Sequence, residues 1–120
     1  ELAMKPKSVG FFRELAYGVP HSPKLVESVR RFAAYPKELV LNYLRTAPAI
    51  GGAWTITQDV LDPAHPDIGP LIQRSDGAWK WPEELAYYVE RYNVDLPAEF
   101  LAHLEAVGYQ PPPEEAGPAI

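Results

Sequence analysis

Residues 74–92 read RSDGAWKWPEELAYYVERY, and the rest of the fold is arranged around them. Asp76-Gly77 is the pair favoured in a two-residue hairpin loop, because a type I′ turn places both loop residues at positive φ, where glycine meets no Cβ penalty. With those two in the loop, Ser75 pairs with Ala78, Arg74 with Trp79, Gln73 with Lys80 and Ile72 with Trp81. Ile72, Arg74, Trp79 and Trp81 then share a covered face, with Ile72 packed on Trp81 and the Arg74 guanidinium against the Trp79 ring. Gln73, Ser75, Ala78 and Lys80 take the wetter face. Pro82-Glu83-Glu84 opens a helix, since proline fits the first turn and acids suit the positive end of the helix dipole. Leu85, Tyr88, Val89 and Tyr92 recur at i, i+3, i+4 and i+7, the stripe of an amphipathic helix, while Tyr87, Glu90 and Arg91 lie off it.

Towards the C-terminus, Asn93 to Leu96 is a connector. Pro97-Ala98-Glu99 starts a last helix that buries Phe100, Leu101, Leu104 and Val107 and stops at Gly108. Residues 110–120, with Pro111-Pro112-Pro113-Glu114-Glu115, form a proline-rich flexible tail. Towards the N-terminus the pattern predicts three short helices. The first runs from Ser8 to Tyr17 with Phe11, Phe12, Leu15 and Ala16 on one side and Gly18 ending it. The second starts at Ser22-Pro23 and carries Leu25, Val26, Val29, Phe32 and Ala33. The third restarts at Tyr35-Pro36 and carries Leu39, Val40, Tyr43 and Leu44 until Ala47-Pro48. After Gly51-Gly52 the period changes to two: Trp54, Ile56 and Val60 alternate with Thr55, Thr57 and Asp59 as in a half-buried strand. Leu61 to Pro70, with three prolines and a glycine, reads as a loop, because proline cannot donate to a sheet ladder.

The expected architecture is therefore α+β: three N-terminal helices, a small antiparallel sheet of about three strands with a hairpin over 71–81, and two C-terminal helices. Residues 4–109 form a single domain, and Glu1-Leu2-Ala3 before Met4 reads as an expression-vector scar. A chain of 120 residues suits one core. No apolar run approaches the roughly 20 residues of a spanning helix, so a soluble, cytoplasmic protein with no membrane partner is expected. With no cysteine there is no disulfide or thiolate chemistry. The net charge of −5 conceals a gradient: residues 1–48 hold eight Lys/Arg and four Asp/Glu, residues 82–120 one and eight. Either these are solvated faces whose opposite charges meet in the fold, or the acidic end faces a basic partner. Scattered bases in an acidic chain argue against nucleic acid.

Asp59, Asp62, His65 and Asp67 are the best metal-ligating set, but their spacing matches no metal motif and Asp and Pro are ordinary turn residues, so no metal or other cofactor is expected. His21, His65 and His103 have no nucleophile to activate, and no catalytic residue is assigned. Four residues separate Glu99 from His103, the spacing of a helical pair. Glu83 and Glu84 read as helix-capping acids. Gly51-Gly52 lacks the Gly-Lys-Ser/Thr of a phosphate loop. Trp54, Trp79, Trp81, Tyr87, Tyr88 and Tyr92 fit either a packed core or an aromatic-lined pocket.

The pattern D-G-x-W-x-W-P from Asp76 to Pro82, with Tyr87-Tyr88-Val89 and Tyr92 and then Leu96, Pro97 and Phe100, resembles small uncharacterised bacterial proteins that are similar to immunity proteins of secreted-toxin systems. The resemblance covers about residues 74–104, carries over no functional residue, and implies a non-catalytic binder of a protein partner, a toxin in the immunity case. The expectation is thus a non-enzymatic protein-binding domain with an acidic and aromatic surface and contacts at Gln73, Lys80, Glu84, Tyr87 and Arg91. The alternatives are a small-molecule-binding domain or enzyme with an aromatic-lined pocket, and an oligomerisation module.

Overall fold

A computed structural model describes residues 6–15, 18 and 20–112. Its elements in chain order are β1 (Lys7–Ser8), α1 (Leu25–Ser28), α2 (Lys37–Thr46), β2 (Ala49–Gln58), β3 (Asp67–Ser75), β4 (Trp79–Pro82), α3 (Glu84–Tyr92) and α4 (Ala98–Ala106). The strands form one mixed sheet in the order β1-β4-β3-β2, parallel between β1 and β4 and antiparallel elsewhere. The fold is α+β, but the three leading helices and the three-stranded antiparallel sheet are corrected: a strand precedes the first helix, and the sheet has four strands.

Each correction has a backbone cause. The segment read as a first helix begins instead as β1, because the Lys7 N–H donates to Ala78 O at 2.9 Å and the Val9 N–H to Lys80 O at 3.0 Å. These bonds satisfy the free edge of β4, and Gly10 at φ +84° then turns the chain away. Phe11, Phe12 and Leu15 are buried as expected, without a helix over them. Ala16 and Tyr17, the end of that expected helix, lie outside the described residues, as do the 1–3 scar and most of the expected tail. The second helix survives only as α1, its first N–H groups held by Glu14, which accepts from Leu25 N at 2.6 Å and Val26 N at 2.9 Å. Beyond Ser28 the chain is tied to the end of α3 and the connector after it: Asp95 N donates to Ser28 O at 2.8 Å and Arg30 N to Tyr92 O at 3.0 Å. Those long-range bonds replace helical ones, and Phe32 is left largely exposed.

Elements with local punctuation form as read. α2 follows Pro36 and ends at Ala47, which the following proline holds extended at ψ 152°. In α2, however, Leu41 is buried and Leu39 exposed. α3 ends on Asn93 in the left-handed region at φ 52°. α4 ends in a Schellman motif: Gly108 has φ +65°, its N–H donates to Glu105 O at 3.0 Å, and Tyr109 N donates to Leu104 O at 2.8 Å.

The hairpin turn is displaced by one residue. Arg74 faces Trp81 and Ser75 faces Lys80, so the loop residues are Gly77, at φ +94°, and Ala78. Asp76 closes the turn, its N–H donating to Trp79 O while its own Oδ1 accepts from Ala78 N at 2.9 Å and Trp79 N at 2.7 Å. A shift of one in the turn moves each partner by two, so the parity of the faces is kept and both tryptophans remain inside. The predicted Arg74–Trp79 stacking is replaced: Arg74 pairs with Glu83 and donates to Ala47 O at 2.6 Å, and Lys7 lies over the Trp79 ring. Trp81 is fully buried between α2 and α4, with ring centroids 5.9 Å from Tyr43 and 5.7 Å from Phe100, and its indole N–H donates to Leu44 O.

β3 begins at Asp67 and includes Pro70, inside the stretch expected to be loop. β4 pairs only with Gln73, Arg74 and Ser75, so on one side of Pro70 no strand needs its missing N–H. On the other side β2 bulges: Ala53 faces Leu71 and Ile56 faces Pro70, leaving Trp54 and Thr55 unmatched. The helices cover the Trp79–Trp81 region of the sheet and leave most of β2 open. Trp54 is 91% exposed, and Ile56 and Val60 are exposed where the alternation predicted burial.

Candidate functional site

Asp59, from the candidate metal-ligating set, and Asp76, from the hairpin turn, are taken up by the fold in the same way. Asp59 is fully buried. Its Oδ1 accepts from Leu61 N at 2.8 Å and Asp62 N at 3.1 Å, and its Oδ2 accepts the hydroxyls of Tyr87 at 2.7 Å and Tyr92 at 2.6 Å. Asp76 repeats the arrangement: two turn N–H groups on Oδ1, and the Tyr43 hydroxyl and His103 Nε2 on Oδ2. In both cases burial pushes the carboxyl up, but the hydrogen bonds outweigh it and hold the group below its usual range. Burial and the bond to Asp59 push Tyr87 up to about 12, and burial with the bond to Asp76 raises Tyr43. Each aspartate stabilises a turn with one oxygen and anchors helices with the other.

The metal-ligating set is likewise taken up internally. Asp62 pairs with Arg91 and accepts from Ala64 N, His65 Nδ1 lies 2.9 Å from Asp59 O, and Asp67 accepts from Gln58. Among the described residues no three His, Cys, Asp or Glu side chains are grouped to hold a metal ion.

The charge gradient closes on itself. Lys7 pairs with Glu99, Arg30 with Asp95 and Arg45 with Glu90, each joining a basic residue of the first half to an acid of the last third. The Glu99–His103 helical pair expected from spacing gives way to Lys7–Glu99 and Asp76–His103. Three of the eight acids of residues 82–120 are thus matched by bases of the first half.

What stands uncovered is β2. It is an edge strand of ten residues, Ala49–Gln58, with sequence AIGGAWTITQ: no charge and no proline across it. Natural edges are commonly guarded by lysine, proline, brevity or a covering element. Here Ile50, Trp54 and Ile56 all project into solvent, beside backbone groups with no strand on the outer side among the described residues. Bulges give the strand its one guard.

The five sequence-derived contact residues do not form one patch. Tyr87 and Arg91 meet at the far end of β2, through Asp59 and Asp62. Gln73 lies in mid-sheet opposite Gly51 and Pro82. Lys80 is in β4, between Ser8 and Ser75. Glu84 is only 4% exposed and lines a small cavity beneath β2 with Leu15 and Leu71. Trp54 and Ile50, the most exposed large apolar side chains of β2, are not among the five. The available signal was the uncharged run over 49–58 in a chain with 22% charged residues.

A separate cavity of about 480 Å³ opens between the end of β1, α1 and the 95–97 connector, with Phe11, Phe12, Leu96 and Pro97 among its walls and Arg30 and Asp95 at its edge. It contains none of the tryptophans or tyrosines that suggested an aromatic pocket. No helix among the described residues is long and apolar enough to cross a membrane. Compared with protein-family models, with curated proteins and with solved structures, the chain finds no match in any of the three.

Proposed function

We propose that the chain is a non-enzymatic protein-binding domain whose contact surface is the β2 edge, extended at one end by Tyr87 and Arg91. The observation that carries this is Trp54, 91% exposed in the middle of an uncharged edge strand. Exposed tryptophan is a favoured interface anchor, and an open edge offers a partner strand main-chain hydrogen bonds between its bulges. The in-chain pairing of the acidic end favours this apolar edge over the acidic surface. The immunity-type form of the proposal, with a toxin as partner, has its support in the resemblance alone, and the residues that carry it, Asp76, Trp79, Trp81, Tyr88 and Phe100, mostly lie in the core. Co-purification with the product of the adjacent gene tests that form.

The surface is tested by placing a photo-crosslinking amino acid at position 55, beside Trp54, and a control at position 38 on the exposed side of α2. Adducts concentrated at position 55 are expected. Equal adduct formation at both positions overturns the assignment.

The cavity beside Phe11 and Phe12 favours a second reading, a small-molecule-binding domain, since its volume falls within the usual range for ligand sites. It predicts a ligand that raises the melting temperature and whose effect is lost when Phe12 is changed to Ala.

A further inference from the structure

We infer that the occupant of the β2 edge is a second copy of this chain, paired antiparallel about a two-fold axis. This rests on the binding surface proposed above and names its partner.

Three observations converge on self-pairing. The first is charge. Two copies each carrying −5 repel one another, and Ala49–Gln58, which holds no charged residue, is a stretch where like strands meet without adding to that repulsion. A strand shaped for a strongly basic or acidic partner would carry the complementary sign.

The second is the order of small and large residues. Full overlap of two antiparallel copies of a ten-residue strand sets Ala53 opposite the second copy's Trp54, and Gly51 opposite its Ile56. Each Trp54 ring then lies beside a small residue and within diagonal reach of Gly51-Gly52, the arrangement in which an aromatic side chain covers edge glycines. Gly51 has open space where a Cβ would stand, so a neighbouring ring can settle there.

The third is size. A strand of this length runs about 34 Å, and a strip about 10 Å wide gives about 340 Å² per copy. Burying Trp54 and its neighbours adds about 200 Å² per copy. The total of about 1,100 Å² lies at the lower limit for a specific interface, which sets the expectation of a weak, concentration-dependent dimer. Pairing about a two-fold axis uses the β2 edge of both copies and leaves β1, two residues long, as the outer edge of each sheet, so the assembly stops at two copies.

The test is sedimentation equilibrium of the full chain from about 1 µM to about 500 µM. The average mass is expected to climb from 13.4 kDa towards twice that value. Trp54→Lys, at a position outside the core, places two like charges beside the axis and is expected to weaken association by about tenfold or more, with circular dichroism and melting unchanged. A mass that stays at 13.4 kDa across the whole range overturns the inference, as does a dimer that Trp54→Lys leaves intact. If the chain stays monomeric while position 55 cross-links to a different protein, the second copy is excluded and the binding surface stands. If the mass is constant and positions 55 and 38 cross-link alike, both fall.

Discussion

Nε2 of His103 donates to Oδ2 of Asp76 at 2.8 Å across 27 residues of sequence, pinning α4 to the turn between β3 and β4. The Tyr43 hydroxyl reaches the same oxygen from α2. One carboxylate thus gathers two helices onto the hairpin.

Removing that carboxylate should cost far more than removing any one of its donors. Asp76→Ala is expected to destabilise by about 3–4 kcal/mol, because it leaves the Tyr43 hydroxyl and two turn N–H groups without acceptors. Tyr43→Phe should cost about 1.5–3 kcal/mol and the partly exposed His103→Ala about 1 kcal/mol. Urea unfolding at neutral pH measures the order. Equal losses for Asp76→Ala and His103→Ala would show that the turn does not depend on this hub.

Stability should fall at both ends of the pH scale, for opposite reasons. Asp59 and Asp76 are held below their unfolded values, so the stability they contribute is complete above about pH 4 and is lost as pH falls through their folded values. Tyr87, bonded to Asp59, and Tyr35, whose hydroxyl is buried against Val94 O near Asp95, are both raised to about 12. Their contribution is complete below about pH 10 and is lost as pH rises towards 12. Melting temperature against pH checks both limbs, and Tyr87→Phe should flatten part of the alkaline one.

Gly77→Val should destabilise by on the order of 1–3 kcal/mol through backbone strain alone, since Gly77 sits at φ +94° and an added Cβ would meet nothing within 4 Å. Gly77→Asn, which tolerates positive φ better, should recover part of the loss in a thermal melt.

The tryptophans should separate cleanly. Trp54→Ala is expected to change folding stability by no more than about 0.5 kcal/mol, whereas Trp81→Ala should cost about 3–5 kcal/mol. A large loss from Trp54→Ala would place that ring inside the fold.

How much of this was legible beforehand follows from how local each cause is. The start of α2 and the stops of α2, α3 and α4 lie in Pro36, Pro48, Asn93 and Gly108, whose backbone preferences act within a turn of themselves, so the sequence by itself determined them, whereas Pro82, expected in the first turn of α3, is the last residue of β4. The sequence also determined that Trp79 and Trp81 face inward, because a hairpin slipped by one turn residue keeps its parity. Tertiary structure decided the rest. β1 exists because Lys7 and Val9 find carbonyls more than seventy residues away, and α1 is short because Ser28 and Arg30 bond to the connector after α3 and to the last residue of α3. Asp59 and Asp76 are anchors rather than reactive groups because tyrosines and a histidine from other elements reach them. Trp54, which alternation placed on the covered face, stands in solvent because no helix among the described residues comes back over β2, and strand periodicity says which face a residue takes without saying whether anything covers it.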